Sequence, residues 1–207
     1  MHGSAIRRTN ATLRLTPCRS RDKPELLLAR IDAAGSDGAI IVRVLDGKAG
    51  EAAAGLLRRC GREARILAPA MDPDAIARNS AWFLSADRAG LVALEGIDPP
   101  ARGDVRRVLI MNLPPSLETG AEDIGRAGID GLAASAEIFA SARDIDRRLS
   151  PPLGSAERER VLQTIAWIEN HGCARQFLCR ELLAGACGNC GNCGWCLSHA
   201  AKFIPDE

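Results

Sequence analysis

The sequence predicts an α/β domain on a parallel sheet, followed by a small helical subdomain organised by cysteines. Three observations predict it. Short β-branched apolar runs alternate with amphipathic stretches of helix length, as where GAIIVRV (Gly38–Val44) precedes GKAGEAAAGLLRRCG (Gly47–Gly61). A proline-containing break, SPPLGS (Ser150–Ser155), ends that alternation. Beyond it, CGNCGNCGWC (Cys187–Cys196) places four thiols at a spacing of three, whereas Cys18 and Cys60 are the only cysteines before Cys173.

The elements follow in order. Residues 1–20 read as a tail with an entering strand, ATLRL (Ala11–Leu15). RDKPELLLARIDAAG (Arg21–Gly35) carries Leu26, Leu27, Leu28 and Ile31 at helical spacing and ends on a glycine. GAIIVRV suits a strand buried on both faces. The Ala/Leu stretch after it is a helix that stops at Gly61, and ARILAP (Ala64–Pro69) is again strand-like. DPDAIARNSAWFLS (Asp72–Ser85) opens on an Asp cap and reads as a helix. LVAL (Leu91–Leu94), VRRVLIMN (Val105–Asn112) and LAASAEIFA (Leu132–Ala140) are further strands. The lobe thus spans residues 21–149. After the break, AERERVLQTIAWIEN (Ala156–Asn170) and ARQFLCRELLAG (Ala174–Gly185) make a helical hairpin around HGC (His171–Cys173), within a subdomain spanning 151–207.

Composition narrows the function classes. Of 207 residues, 46% are hydrophobic, enough for a substantial core, and the net charge is only +1, so the whole molecule has no strong electrostatic pull toward nucleic acid or membrane. Met1–Asn10 is polar and basic with no apolar run behind it, and no stretch reaches the length of a membrane span. The expectation is a cytoplasmic protein with no membrane partner. In that compartment clustered cysteines read as metal ligands before disulfides.

A structural Zn²⁺ needs four ligands in a tetrahedron. Cys187, Cys190 and Cys193 form two overlapping Cys-x-x-Cys turns that supply three, and the fourth is open between Cys173, Cys196 and Cys179. Four ligands drawn from Cys187–Cys196 alone would crowd the site. His171 and His199 flank the cluster, and thiolate spacing alone also fits an iron–sulfur cluster. With four protein ligands the metal has no open position, so its expected role is to fold a subdomain with little core of its own.

LPPSLETGAEDIGRAGIDG (Leu113–Gly131) resembles the motif VI segment of RecQ-type ATP-dependent DNA helicases, which runs roughly L-P-x-S-x-E-x-Y-x-Q-E-x-G-R-A-G-R-D-G. Leu113, Pro114, Ser116, Glu118, Gly125, Arg126, Ala127, Gly128, Asp130 and Gly131 match. EGIDPP (Glu95–Pro100) is similar to a shortened motif V, GAIIVRV stands where the family has its motif IV strand, and HGCARQFLCRELLAGACGNCGNC (His171–Cys193) is similar to the family's zinc subdomain.

The resemblance implies a RecA-like helicase C-terminal lobe with an appended helical zinc subdomain, one Zn²⁺ held by Cys173, Cys187, Cys190 and Cys193, and a setting in DNA recombination or repair. It covers only half of such an enzyme. The sequence has no phosphate loop of the form G-x-x-x-x-G-K-[ST], so ATP is expected as a ligand only if a partner supplies a first lobe. Of motif VI's two arginines, Arg126 remains, but Ile129 stands at the finger position, where an arginine is typically worth about 10³–10⁵ in rate. Gly120 replaces the family's aromatic residue and Glu122 its glutamine. No residue is therefore assigned to catalysis.

DNA is the expected partner, contacted through phosphates by Arg102, Arg106, Arg107, Arg175 and Arg180. The alternatives are a protein-interaction module that self-associates or binds another protein, and half of a split helicase completed by a separate first lobe.

Overall fold

The runs that alternate in the sequence build one parallel sheet of six strands. The computed structural model describes residues 6–33, 38–183 and 187–199. In chain order the strands are β1 (Ala11–Pro17), β2 (Ala39–Val44), β3 (Ala64–Leu67), β4 (Gly90–Leu94), β5 (Val105–Ile110) and β6 (Ala134–Ala140), and they lie side by side as β1-β6-β5-β2-β4-β3. The helices are α1 (Lys23–Asp32), α2 (Gly47–Arg59), α3 (Pro73–Ser85), α4 (Leu117–Ile124), α5 (Ala142–Leu149), α6 (Ser155–Ile168), α7 (Ala174–Leu182) and α8 (Gly194–His199). The helix stops expected at Gly35 and Gly185 lie outside the described residues.

Local chemistry sets the helix ends. Asp46 caps α2 by accepting from the Ala49 N–H at 2.9 Å. Asp72 caps α3 by accepting from Asp74 and Ala75, with Pro73 at the first helical position. Ser116 caps α4 through the Thr119 N–H, and α5 opens with a capping box in which the Ser141 N–H donates to Asp144 at 2.7 Å.

The sheet is covered on both faces, as parallel sheets require. Every residue of the central β2 is buried. On one face Leu27 and Ile31 of α1, with Ala53, Ala54 and Leu57 of α2, pack on Ile40, Val42, Val92, Leu109 and Phe139. On the other, Phe83 of α3, Ala121 of α4, Trp167 of α6 and Leu178 of α7 pack on Ile41, Leu91, Val108 and Ile138. This second cluster also takes in Cys173, Cys179, Cys193 and Cys196, so the cysteine region shares the core of the sheet.

Trp167 joins the two parts. It is fully buried, and its indole N–H donates to the Ala174 carbonyl at 3.0 Å. Its six-membered ring fills the space beside Gly120, where a Cβ would come within 2.8 Å of Trp167 Cζ3. No helix among the described residues is long and apolar enough to cross a membrane.

Candidate metal centre and the glycine-rich segment

Four thiols converge where the turn before α7 meets the cysteine knuckle. Cys173 is the N-cap of α7, and its sulfur accepts from the Gln176 N–H at 3.4 Å and the Cys190 N–H at 3.3 Å. Cys190 Sγ lies 3.9 Å from Cys196 Sγ, and Cys193 Sγ 4.0 Å from Cys173 Sγ. All four sulfurs sit within 4.8 Å of one another. Tetrahedral zinc with bonds of ~2.3 Å sets its sulfurs about 3.8 Å apart. The observed spacing therefore fits a Cys₄ zinc site with small adjustments, and the residues that would hold the ion are Cys173, Cys190, Cys193 and Cys196.

The electrostatics ask for a cation. Burial raises the Cys173 thiol, but the N–H groups of Cys190 and Gln176 and the neighbouring thiols outweigh it and bring it down to about 7. Burial pushes Cys190 up to about 12, helped by the Cys173 sulfur, and raises Cys196 as well. One thiolate is stabilised and its neighbours resist ionising beside it. A divalent ion removes that conflict, because a coordinated thiol is deprotonated outright. Arg175 adds fixed positive charge with a guanidinium nitrogen 3.8 Å from Cys190 Sγ.

This set differs from the expected one at a single place: Cys196 stands where Cys187 was anticipated. The sulfur of Cys187 is bonded to that of Cys179 on α7, which otherwise lies on the buried side of the helix. Cys196 reaches the site because the chain coils immediately after Cys193. The Leu197 N–H donates to the Cys193 carbonyl at 2.9 Å, and residues three apart on a helical turn share a face. The crowding expected of four ligands in Cys187–Cys196 does not arise, because Cys173 supplies the fourth thiol. His171 and His199 stand apart from the cluster; His199 stacks on Trp195 at 4.5 Å and meets its carbonyl at 2.8 Å.

The knuckle is fastened to the sheet edge by β1. The Leu13 N–H donates to the Asn192 carbonyl at 3.2 Å, Thr12 Oγ1 donates to the Asn192 side chain at 2.9 Å, and Asn192 Nδ2 donates to the Thr9 carbonyl at 2.5 Å. Arg175 is 4% exposed and donates to the carbonyls of Asn192 and Ala11.

The glycine-rich segment lies between α4 and β6. Gly128 has φ +60°, and a Cβ there would fall 2.4 Å from Asn10 Nδ2, so a glycine is required. Arg126 turns inward: it donates to the Pro99 carbonyl, meets Asp98 at 3.3 Å and lies 3.8 Å from Asp123. Asp123 is buried and sits 3.1 Å from Arg43 Nε, while Arg43 Nη1 donates to the Ile97 carbonyl at 2.6 Å. Burial pushes the Asp123 carboxyl up, against the pull of Arg43 and Arg126. The motif V-like and motif VI-like segments are thus tied together through the buried Arg43 and the half-buried Arg126. Ile129, at the finger position, is 42% exposed.

The five arginines expected to meet DNA have other partners. Arg102 pairs with Asp104 and donates to the carbonyls of Phe83 and Ala86. Arg106 grips Asp130 with both terminal nitrogens, and Arg107 donates to the Ala33 carbonyl at 2.6 Å. Arg175 is the buried strut described above. Arg180 is mostly exposed, pairs with Glu181 at 2.8 Å and lies over the Phe177 ring. Reading the sequence alone passed over Arg43, although a charge inside an apolar strand signals a buried partner, and passed over Asn192.

No protein-family model matches the sequence, and no curated protein matches it. Solved structures do. The C-terminal domain of the DEAD-box protein Dbp5 aligns with TM-score 0.55 at 20% identity, over 77% of this chain and 84% of that one. The C-terminal domain of a variant S. cerevisiae Dbp5, bound to Gle1 and IP6, gives 0.55 at 18% over 75% and 83%. The RNA helicase Prp28 from Chaetomium thermophilum, bound to ADP, gives 0.54 at 23% over 68% of this chain and 35% of its own. These identities speak to the fold: the chain has the parallel-sheet α/β architecture of a RecA-like helicase C-terminal lobe, with four cysteines placed to hold a metal ion.

Proposed function

We propose that the chain is a zinc-braced accessory form of a helicase second lobe, of RecQ type, that associates with DNA in recombination or repair and does not hydrolyse ATP alone. One observation carries the reading: a helicase C-terminal lobe fold runs into a four-thiol cluster at zinc spacing. The matched residues of Leu113–Gly131 support the RecQ assignment. The inward-turned Arg126 and the exposed Ile129 support loss of ATPase chemistry, since neither offers a cation to a γ-phosphate.

A second reading has its own support. Ile129 and Leu132, 42% and 61% exposed, leave apolar surface on the segment that faces nucleotide in a complete motor. That surface suits a protein partner, including a separately encoded first lobe that would supply ATP binding.

Metal analysis combined with a DNA titration at graded salt tests the proposal. One zinc per chain, and an affinity that falls with salt, support it. One zinc per chain with no DNA affinity at low salt leaves the partner-binding reading, and ATP turnover by the isolated chain overturns the account of the missing chemistry.

A further inference from the structure

A cleft of about 460 Å³ opens beside the end of α1, on the face of the sheet that α1 packs against, across the amino-terminal halves of β1, β6 and β5. Among the described residues lining it are Arg14, Arg30, Arg106 and Arg107, with Glu137 as the one carboxylate. The strand register puts these groups together. Arg14 stands opposite Glu137, and Arg107 opposite Ser135, on the same face of neighbouring parallel strands. Successive strand residues ordinarily point to opposite faces, yet Arg106 and Arg107 both line the cleft. A bulge accounts for this: Ala39 pairs with Val105 but Ile40 with Arg107, so Arg106 is an inserted residue that can swing to the same side.

The acidic residue does not neutralise the group. Glu137 is 3% exposed, and its oxygens are taken by Arg30 at 2.6 and 3.1 Å and by the Thr16 hydroxyl at 2.6 Å. Arg107 uses one N–H on the Ala33 carbonyl, leaving the rest of its fork toward the cleft. Arg14 is exposed, and no described side chain or carbonyl partners it. Burial first, and then the like charges of Arg30 and Arg14, hold the Arg107 guanidinium below its ordinary value against the opposing pull of Glu137. This crowding of positive charge costs stability when the cleft is empty and would be relieved by an anion.

We propose that this cleft binds a phosphoryl group, with Arg14 and Arg107 as its ligands, Arg30 and Arg106 as flanking charges and the Ser135 hydroxyl as a further donor. Guanidinium forks match phosphate oxygens bidentately, and several forks converging on one half-enclosed volume favour a multiply charged anion over chloride. The site lies at the end of the strands opposite to the carboxyl-end crevice where open α/β sheets hold their ligands. It is therefore additional to any nucleotide or nucleic-acid contact inherited with the fold. A small free polyphosphate and a phosphodiester backbone both carry this group, and the two are told apart by titration.

Calorimetric titration of the zinc-loaded full chain with inorganic pyrophosphate, and separately with a short single-stranded oligothymidylate, tests the site and separates the two sources. Arg14→Glu is the probe variant, because its side chain is exposed and supports no fold contact. Arg78→Glu, an exposed arginine on α3, repeats the same charge change elsewhere. Saturable pyrophosphate binding, weakened about tenfold or more by Arg14→Glu and left alone by Arg78→Glu, supports a free anion. Oligothymidylate binding that pyrophosphate displaces, with a salt slope reduced by about one in Arg14→Glu, supports a backbone phosphate. Two outcomes overturn the proposal: no binding of either probe at low salt, or binding that both variants weaken equally. Oligothymidylate and pyrophosphate affinities both indifferent to Arg14→Glu would also overturn this site while leaving the DNA reading intact.

Discussion

Replacing Cys187 and Cys196 in turn decides which thiols hold the metal. The structure places the Cys196 sulfur 3.9 Å from that of Cys190, close to the edge of a zinc tetrahedron, and bonds Cys187 to Cys179. Structural zinc contributes about 10–16 kcal/mol at pH 7 through four thiolates, so one ligand's share is about 2.5–4 kcal/mol, or roughly a hundredfold to a thousandfold in affinity. Cys187→Ser alone is expected to leave zinc affinity within a few-fold of the native protein. Adding Cys196→Ser in that background removes one of the four converging thiols and should produce the full loss. Competition against a chromophoric chelator measures the affinities. The thermal midpoint with and without chelator gives a second readout, because a ligand that binds only the folded chain stabilises it in proportion to the logarithm of its saturation. If Cys187→Ser alone produced the hundredfold loss, the ligand set would be Cys173, Cys187, Cys190 and Cys193, and the geometric argument would fail.

Gly120→Ala forces a methyl against Trp167 Cζ3 and should cost about 1–3 kcal/mol by urea unfolding; an unchanged midpoint would mean that α6 does not pack there as described. Arg43→Met strands the buried Asp123 carboxylate and should cost about 3–5 kcal/mol, whereas Asp123→Asn, which keeps a hydrogen-bonding group, should cost less. The Asp104 carboxyl is held below its ordinary value, first by its hydrogen bonds to Arg102. A depressed acid stabilises the fold above its unfolded pKa of about 3.9 and loses that stabilisation as pH falls through the lower folded value. The stability gap between the native chain and Arg102→Met should therefore be flat above about pH 5 and narrow below pH 4. What remains at low pH is the part due to the Phe83 and Ala86 carbonyls. A gap that widened on acidification would contradict the pairing.

Strands and most helices were legible because each carries its own period and punctuation. GAIIVRV can only be a doubly buried strand, and Asp72-Pro73 announces a helix start. α5 was not legible: its apolar stripe is only Ile145 and Leu149, partly buried against the core, and the Ser141–Asp144 box and the Arg148–Glu95 pair supply the rest of its anchoring. α8 was missed because its six residues look like loop until Cys193 and Cys196 are seen to share one turn. The metal site was legible as chemistry but not as a ligand set, since the spacing of three between every thiol of Cys187–Cys196 makes each choice of ligands equivalent until the backbone path is known. The arginines expected to contact DNA show what charge alone leaves out. A sequence shows charge but not its partner, and Asp130 and the Ala33 carbonyl meet Arg106 and Arg107 only in the folded chain.

The departures from the helicase pattern are coupled through contacts. Gly120 leaves a space that Trp167 of α6 fills, so the tail is packed into the lobe and does not swing from it. Once α6 and α7 are seated there, Cys173 is fixed at the start of α7, and Arg175 and Asn192 bind the knuckle to β1. In the same region Arg126 and Arg43 are drawn into contacts with Asp123, Asp98 and the 97–99 backbone, which consumes charges that a motor would direct at nucleotide. Restoring Ile129 to arginine would therefore return only one cation to a surface whose other arginine remains tied inward. That variant is not expected to gain ATPase activity even with a first lobe supplied, unless Asp98 and Asp123 are also changed to release Arg126.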